Sequence, residues 1–259
     1  MKQNKFLIIS NGRSGSTWLE TMLGQLSDVK VEYEFKWKPP YDPHPLHIRV
    51  DSKDFSCKKA LESISSTAPI VGSKLVFDPR YHTDEELLEL LETIDPEIKV
   101  IHLTRSYVEV FSSIMRGKPI NILNDDVAVE EASILLKTLK SNSQDDKSES
   151  DNSPRTIDHG HCRRLMRNLL KNDLAVEKLR CRVSNFYSLD YSDIEAQFYA
   201  LTQFIGSNCS QEDAMSVTKK PVTKKLPTKD IGEIVSNIEE LQEVLELHDE
   251  IKYFALKQP

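Results

Sequence analysis

Residues 6–19 read Phe-Leu-Ile-Ile-Ser-Asn-Gly-Arg-Ser-Gly-Ser-Thr-Trp-Leu, and no other stretch constrains the fold as strongly. The apolar run Phe6 to Ile9 predicts a short buried strand. Asn11 to Thr17 is a small-residue loop. Trp18, Leu19, Met22, Leu23 and Leu26 then recur at helical spacing. A strand that passes into a helix through such a loop makes an anion cradle. The first-turn N–H groups have no acceptor inside the helix, and the helix dipole adds partial positive charge there. Ser14, Ser16 and Thr17 add hydroxyl donors, Arg13 adds a fixed cation, and Gly12 and Gly15 let the backbone approach a ligand.

The nucleoside-triphosphatase loop G-x-x-x-x-G-K-[ST] does not fit here. Ser16 and Thr17 follow Gly15 with no Lys between them, and the two glycines are too close together. The loop is therefore built for a phosphate-like anion, without the Lys of an ATPase.

The rest of the chain alternates strands with helices. Val29 to Trp37 alternates apolar and polar residues and predicts an extended segment. Lys38 to Pro45 carries too many prolines for helix or inner strand and is read as a loop across the mouth of the site. A helix is expected over 53–66 and a buried strand over Ile70 to Phe77. A second helix is expected from Thr83 to Glu92, with Thr83 and Glu86 as a capping box. Lys99 to Thr104 is the fourth strand and leads through Arg105 into a helix from Tyr107 to Met115. Residues 140–160 are polar and of low complexity, and are expected to form a flexible insertion. A basic amphipathic helix is expected from His161 to Leu179, a strand from Val183 to Leu189, a helix from Ile194 to Ile205 and a final helix from about Ile231 to Phe254. This order predicts one α/β domain over 1–259, a P-loop-like three-layer fold with a central parallel sheet flanked by helices.

The balance of Lys+Arg 34 against Asp+Glu 41 gives a formal net charge of −7, which argues against a nucleic-acid partner. Cys57, Cys162, Cys181 and Cys209 are scattered, without the close pairs of a zinc site or a disulfide framework. Reduced thiols and a cytoplasmic location are expected. The N-terminal apolar run is too short for a signal peptide or a membrane span.

Two further cationic features stand out. Arg105 follows a strand, at the edge where open α/β sheets bind ligands, and Ser113 comes eight residues later, about two turns down the next helix. Lys219, Lys220, Lys224 and Lys225 cluster in a Pro-containing segment of an acidic chain.

Together these segments resemble the sulfotransferases that use 3′-phosphoadenosine 5′-phosphosulfate (PAPS). Arg13-Ser-Gly-Ser-Thr-Trp18 resembles the family's 5′-phosphosulfate loop. Val100 to Ser113 resembles its 3′-phosphate motif, with Arg105 and Ser113 in place. Tyr191-Ser-Asp-Ile194 resembles the segment whose Tyr lies near the adenine. Lys219 to Lys225 resembles the basic loop that closes over the 3′-phosphate. The resemblance implies donor-binding roles for Arg13, Ser14, Gly15, Ser16, Thr17, Trp18, Arg105, Ser113, Tyr191, Lys220, Lys224 and Lys225, with PAP as product. It departs from the cytosolic phenol and steroid enzymes, because Val76 stands where their basic His would be. It is closer to bacterial carbohydrate sulfotransferases of the trehalose-modifying type, on the strength of Gly72-Ser-Lys-Leu75 and of Glu34-Phe35 at the family separation from Arg13.

That resemblance implies in-line sulfuryl transfer, with Arg13 and Lys74 stabilising charge on the bridging oxygen and Glu34 as general base. Glu32 competes with Glu34, since both fall on one strand face. His47, His82 and His102 are alternative bases, with His102 read as structural because it lies inside a buried strand. No metal is required by this chemistry. The expected acceptor is a sugar, glycolipid or small metabolite, and a homodimer is possible. The competing readings are a P-loop small-molecule kinase and a non-catalytic nucleotide-binding relative.

Overall fold

The computed structural model describes residues 3–31, 35–36, 48–49, 61, 64, 66–77, 91–92, 94–116, 154–221 and 230–257. Glu32, Glu34, the loop Lys38 to Pro45, His47, His82, the Thr83 capping box, residues 140–153 of the expected insertion, Lys224 and Lys225 lie outside the described residues.

Among the described residues, seven parallel strands form one sheet: β1 (Asn4–Asn11), β2 (Val29–Val31), β3 (Phe35–Lys36), β4 (Ile48–Arg49), β5 (Ile70–Phe77), β6 (Lys99–Thr104) and β7 (Phe186–Asp190). The order is β4-β3-β5-β1-β6-β7, with β2 also paired to β5. The opening strand is thus central, with Ile8 opposite Lys74 on one side and Ile101 on the other. Phe6, Leu7, Ile8 and Ile9 are all 0% exposed, which is why the run is continuous rather than alternating. Phe6 and Ile8 face a cluster with Trp18, Leu19, Met22, Ile194 and Phe198. Leu7 and Ile9 face the opposite layer, with Val71, Ala175 and Val176.

There are six described helices: α1 (Ser16–Leu23), α2 (Tyr107–Met115), α3 (His159–Glu177), α4 (Ile194–Ile205), α5 (Gln211–Lys219) and α6 (Ile238–Lys257). A third apolar cluster joins α2, α3 and α6 through Tyr107, Phe111, Leu165, Leu169, Leu241 and Leu245.

Several boundaries differ from the sequence reading for local reasons. Helix α3 starts two residues early because the Asp158 carboxylate accepts from His161 N at 2.7 Å and caps the helix. It then tightens into a 3-10 turn over Lys178–Cys181. Strand β7 starts at Phe186, because Val183 N donates to Leu179 O and Ser184 N to Pro96 O, which holds the chain before it in a turn. The last helix begins at Ile238; Ile231–Glu233 is a separate 3-10 turn capped by Asp230. Helix α5 was not anticipated, and its signal was the capping box Ser210–Asp213, since Ala214 is its one buried residue.

Candidate functional site

Four segments meet around the C-terminal ends of β1, β6 and β7. Arg13 stands in the loop after β1 with φ 72°, a left-handed backbone that a side-chain-bearing residue adopts at a cost of about 1–3 kcal/mol. Gly15 follows at φ 89° and starts α1 without a side-chain cap. Glycine is required here twice over. The backbone is left-handed, and a Cβ would lie 2.3 Å from Cε2 of Tyr191. The Tyr191 ring therefore packs directly on the loop, with Trp18 tilted against it at 5.6 Å between centroids.

Arg105 completes the junction. Its guanidinium stacks over the Tyr191 ring at 4.2 Å, donates Nη1–H to the Arg13 carbonyl at 3.2 Å and pairs through Nε with Glu109 at 3.0 Å. Arg13 in turn donates from Nη2 to the Ser113 carbonyl at 3.0 Å. Arg13, Gly15, Trp18, Arg105, Ser113 and Tyr191 thus form one connected assembly. Burial raises the Tyr191 phenol above its ordinary value, with Arg105 pulling the other way.

Lys74 reaches the same loop from β5. Its ammonium donates to Thr17 Oγ1 at 2.7 Å and pairs with Glu20 Oε2 at 2.7 Å, both within α1. Lys74 and Glu20 are both buried. Glu20 was not picked out in the sequence, although a Lys inside a buried strand calls for a carboxylate partner. Ser14 and Ser16 are buried and Thr17 is half-buried in the loop. Lys219 and Lys220 are exposed at the end of α5, with no described contact to Arg13 or Arg105.

His102 is fully buried and stands between two carboxylates. Its Nδ1 lies 2.7 Å from Glu177 Oε1 and its Nε2 3.2 Å from Asp173 Oδ1. Arg180 backs Glu177 at 2.8 Å, and the Phe186 ring stands edge-on to the imidazole. Burial alone pushes His102 down, but the two carboxylates outweigh it and its pKa is raised from 6.5. Burial likewise pushes Glu177 up, and His102 with Arg180 reverse this and lower it from 4.5. The sign of the linkage follows. A raised His contributes stability that is complete below its unfolded value and lost as pH rises through its folded value. A depressed Glu contributes stability present above its unfolded value and lost as pH falls through its folded one. The pair therefore contributes fully between pH 4.5 and 6.5. In thermal melts, wild type is expected to lose stability relative to His102→Asn as pH rises from about 6 to about 9. A difference that stays constant over that range would refute the charged pair.

No protein-family profile matches the sequence, and no curated protein sequence matches it. Solved structures do match. A sulfotransferase from Alicyclobacillus acidocaldarius aligns over 99% of this chain and 95% of its own, at 13% identity and TM-score 0.50. Sulfotransferase STF9 from Mycobacterium avium aligns over 97% of this chain and 77% of its own, at 11% identity and TM-score 0.47. Mouse sulfotransferase SULT7A1 complexed with PAP aligns over 85% of this chain and 64% of its own, at 13% identity and TM-score 0.43. At these identities the likeness is one of fold, and the first match carries it: the chain has a sulfotransferase-like α/β fold. No described helix is long and apolar enough to cross a membrane.

Proposed function

We propose that this chain transfers a sulfuryl group from PAPS to a hydroxyl of a sugar, glycolipid or small-metabolite acceptor, releasing PAP. The observation that carries this reading is the meeting of Arg13, Lys74, Arg105, Ser113 and Tyr191, five residues from four distant segments, around one helix N-terminus.

The donor set suits such a ligand. The uncapped start of α1 presents first-turn amides, and Lys74 and Arg13 add cations beside them, which is the chemistry of a tetrahedral-anion site. PAPS, when bound, supplies the activated sulfuryl group. The loop Ser14 to Thr17, Arg13 and Lys74 hold the 5′-phosphosulfate and offset charge on the bridging oxygen. Arg105 and Ser113 hold the 3′-phosphate. Tyr191 and Trp18 give the adenine an aromatic wall. Glu34 takes the acceptor proton, and Lys220, Lys224 and Lys225 close over the 3′-phosphate. The same reading places the enzyme in the cytoplasm, and the trehalose-type resemblance extends to an acceptor of carbohydrate class.

The test is a melting experiment with two nucleotides. A ligand at one hundred times its Kd stabilises by about 2.7 kcal/mol. 3′,5′-ADP is expected to raise the melting temperature well above the shift given by 5′-AMP, and Arg105→Ala to erase the difference. Equal shifts with wild type would overturn the 3′-phosphate assignment.

A further inference from the structure

We infer that Asp173 is the positioning residue that holds the two anion-binding segments in one fixed geometry, an inference that rests on the donor-binding reading of those segments. Asp173 belongs to neither. It lies on α3 and is 2% exposed.

Its two oxygens gather donors from both sides of the site. Oδ1 accepts from Asn11 Nδ2 at 2.8 Å, and Oδ2 accepts from the Tyr107 hydroxyl at 2.8 Å. His102 Nε2 stands 3.2 Å from Oδ1. Asn11 is the last residue of β1 and leads into Gly12 and Arg13. Its amide is held at both ends, since Nδ2 also donates to Leu169 O at 3.1 Å and Oδ1 accepts from Asn172 Nδ2 at 2.8 Å. Tyr107 is 1% exposed and comes two residues after Arg105, at the first position of α2. His102 comes three residues before Arg105 on β6. One buried carboxylate therefore fixes the approach to the phosphosulfate loop and brackets Arg105 on both sides. Two direct links also join the segments, Arg105 Nη1 to the Arg13 carbonyl at 3.2 Å and Arg13 Nη2 to the Ser113 carbonyl at 3.0 Å, and both are only partly buried.

The consequence concerns ligands that engage both ends at once. Preset ends let the second contact form within the complex at high effective concentration. If the two segments shift relative to each other, a two-ended ligand loses that advantage. A one-ended ligand loses little. The effect falls on donor KM, and the turnover of bound donor changes less.

The experiment compares wild type, Asp173→Asn and Tyr107→Phe by two independent readouts. In hydrogen exchange without ligand, Asp173→Asn is expected to speed exchange in residues 10–17 and 104–108 together, with α4 unchanged. Tyr107→Phe cuts only the Oδ2 contact and is expected to speed exchange in 104–108 alone, which keeps the test open if Asp173→Asn folds poorly. In calorimetry, Asp173→Asn is expected to weaken 3′,5′-ADP at least tenfold and 5′-AMP by no more than about threefold. Unchanged exchange in both segments overturns the inference, and so does an equal loss of affinity for the two nucleotides. A wild-type protein that binds neither nucleotide sinks the donor reading instead, while the exchange readout still decides the role of Asp173.

Discussion

Gly15→Ala is expected to destabilise the chain by about 2–5 kcal/mol and to abolish donor binding. Two separate costs add. The backbone at Gly15 has φ 89°, where an L-residue is penalised by roughly 1–2 kcal/mol. The new Cβ would also sit 2.3 and 2.4 Å from two ring carbons of Tyr191, and overpacking of this kind costs about 1–3 kcal/mol. The ring cannot move without consequence. It packs on Trp18 and carries the Arg105 guanidinium at 4.2 Å, so relief of the clash displaces Arg105. A double-mutant cycle with Tyr191→Ala separates the two costs. The coupling energy should recover the packing share, and the left-handed backbone share should persist. Urea midpoints measure both. A Gly15→Ala protein with the wild-type midpoint would show that the loop does not have this geometry.

The same loop shows what was legible in the sequence and why. Phe6 to Ile9 could be read as a buried strand because its apolar run does not alternate, and a strand covered on both faces has no polar side. Ile70–Phe77, Lys99–Thr104, Tyr107–Met115 and Ile194–Ile205 are found at the bounds expected of them, because apolar periodicity and flanking turn residues agree there. Helix α5 gave no such agreement, with Ala214 alone buried, and only its cap marked it. Arg105 could be singled out because it directly follows a strand that ends where open α/β sheets bind ligands, whereas Tyr191 is marked only by the resemblance of its segment to the family's. Asp173 and Glu20 could not. A carboxylate's partner is set by tertiary placement, and Asp173 meets Asn11 across 162 positions of chain. Local pattern carries no trace of such a pair. For the same reason His102, read as structural from its strand, gave no hint of the two acids that face it.

Lys74→Met is expected to cost about 3–5 kcal/mol of stability, because it leaves the Glu20 carboxylate buried without the ammonium 2.7 Å away. The side chains of Lys74 and Glu20 are 7% and 3% exposed, so solvent offers little relief. Taking both charges away together is different. Lys74→Met with Glu20→Leu is expected to be within about 1 kcal/mol of wild type or more stable, since a desolvated pair returns little net energy over apolar packing. Turnover should not follow stability. Lys74 also donates to Thr17 Oγ1 at 2.7 Å, which holds its ammonium at the first turn of α1, where the bridging oxygen of a phosphosulfate would gain charge. Both the single and the double variant are therefore expected to lose most sulfuryl transfer, by about two to three orders of magnitude for one lost oxyanion donor. Chemical denaturation and labelled-PAPS turnover, measured on the same two proteins, separate the roles. A double variant that folds and keeps its turnover would remove Lys74 from the reaction. A single variant as stable as wild type would refute the cost assigned to breaking the pair.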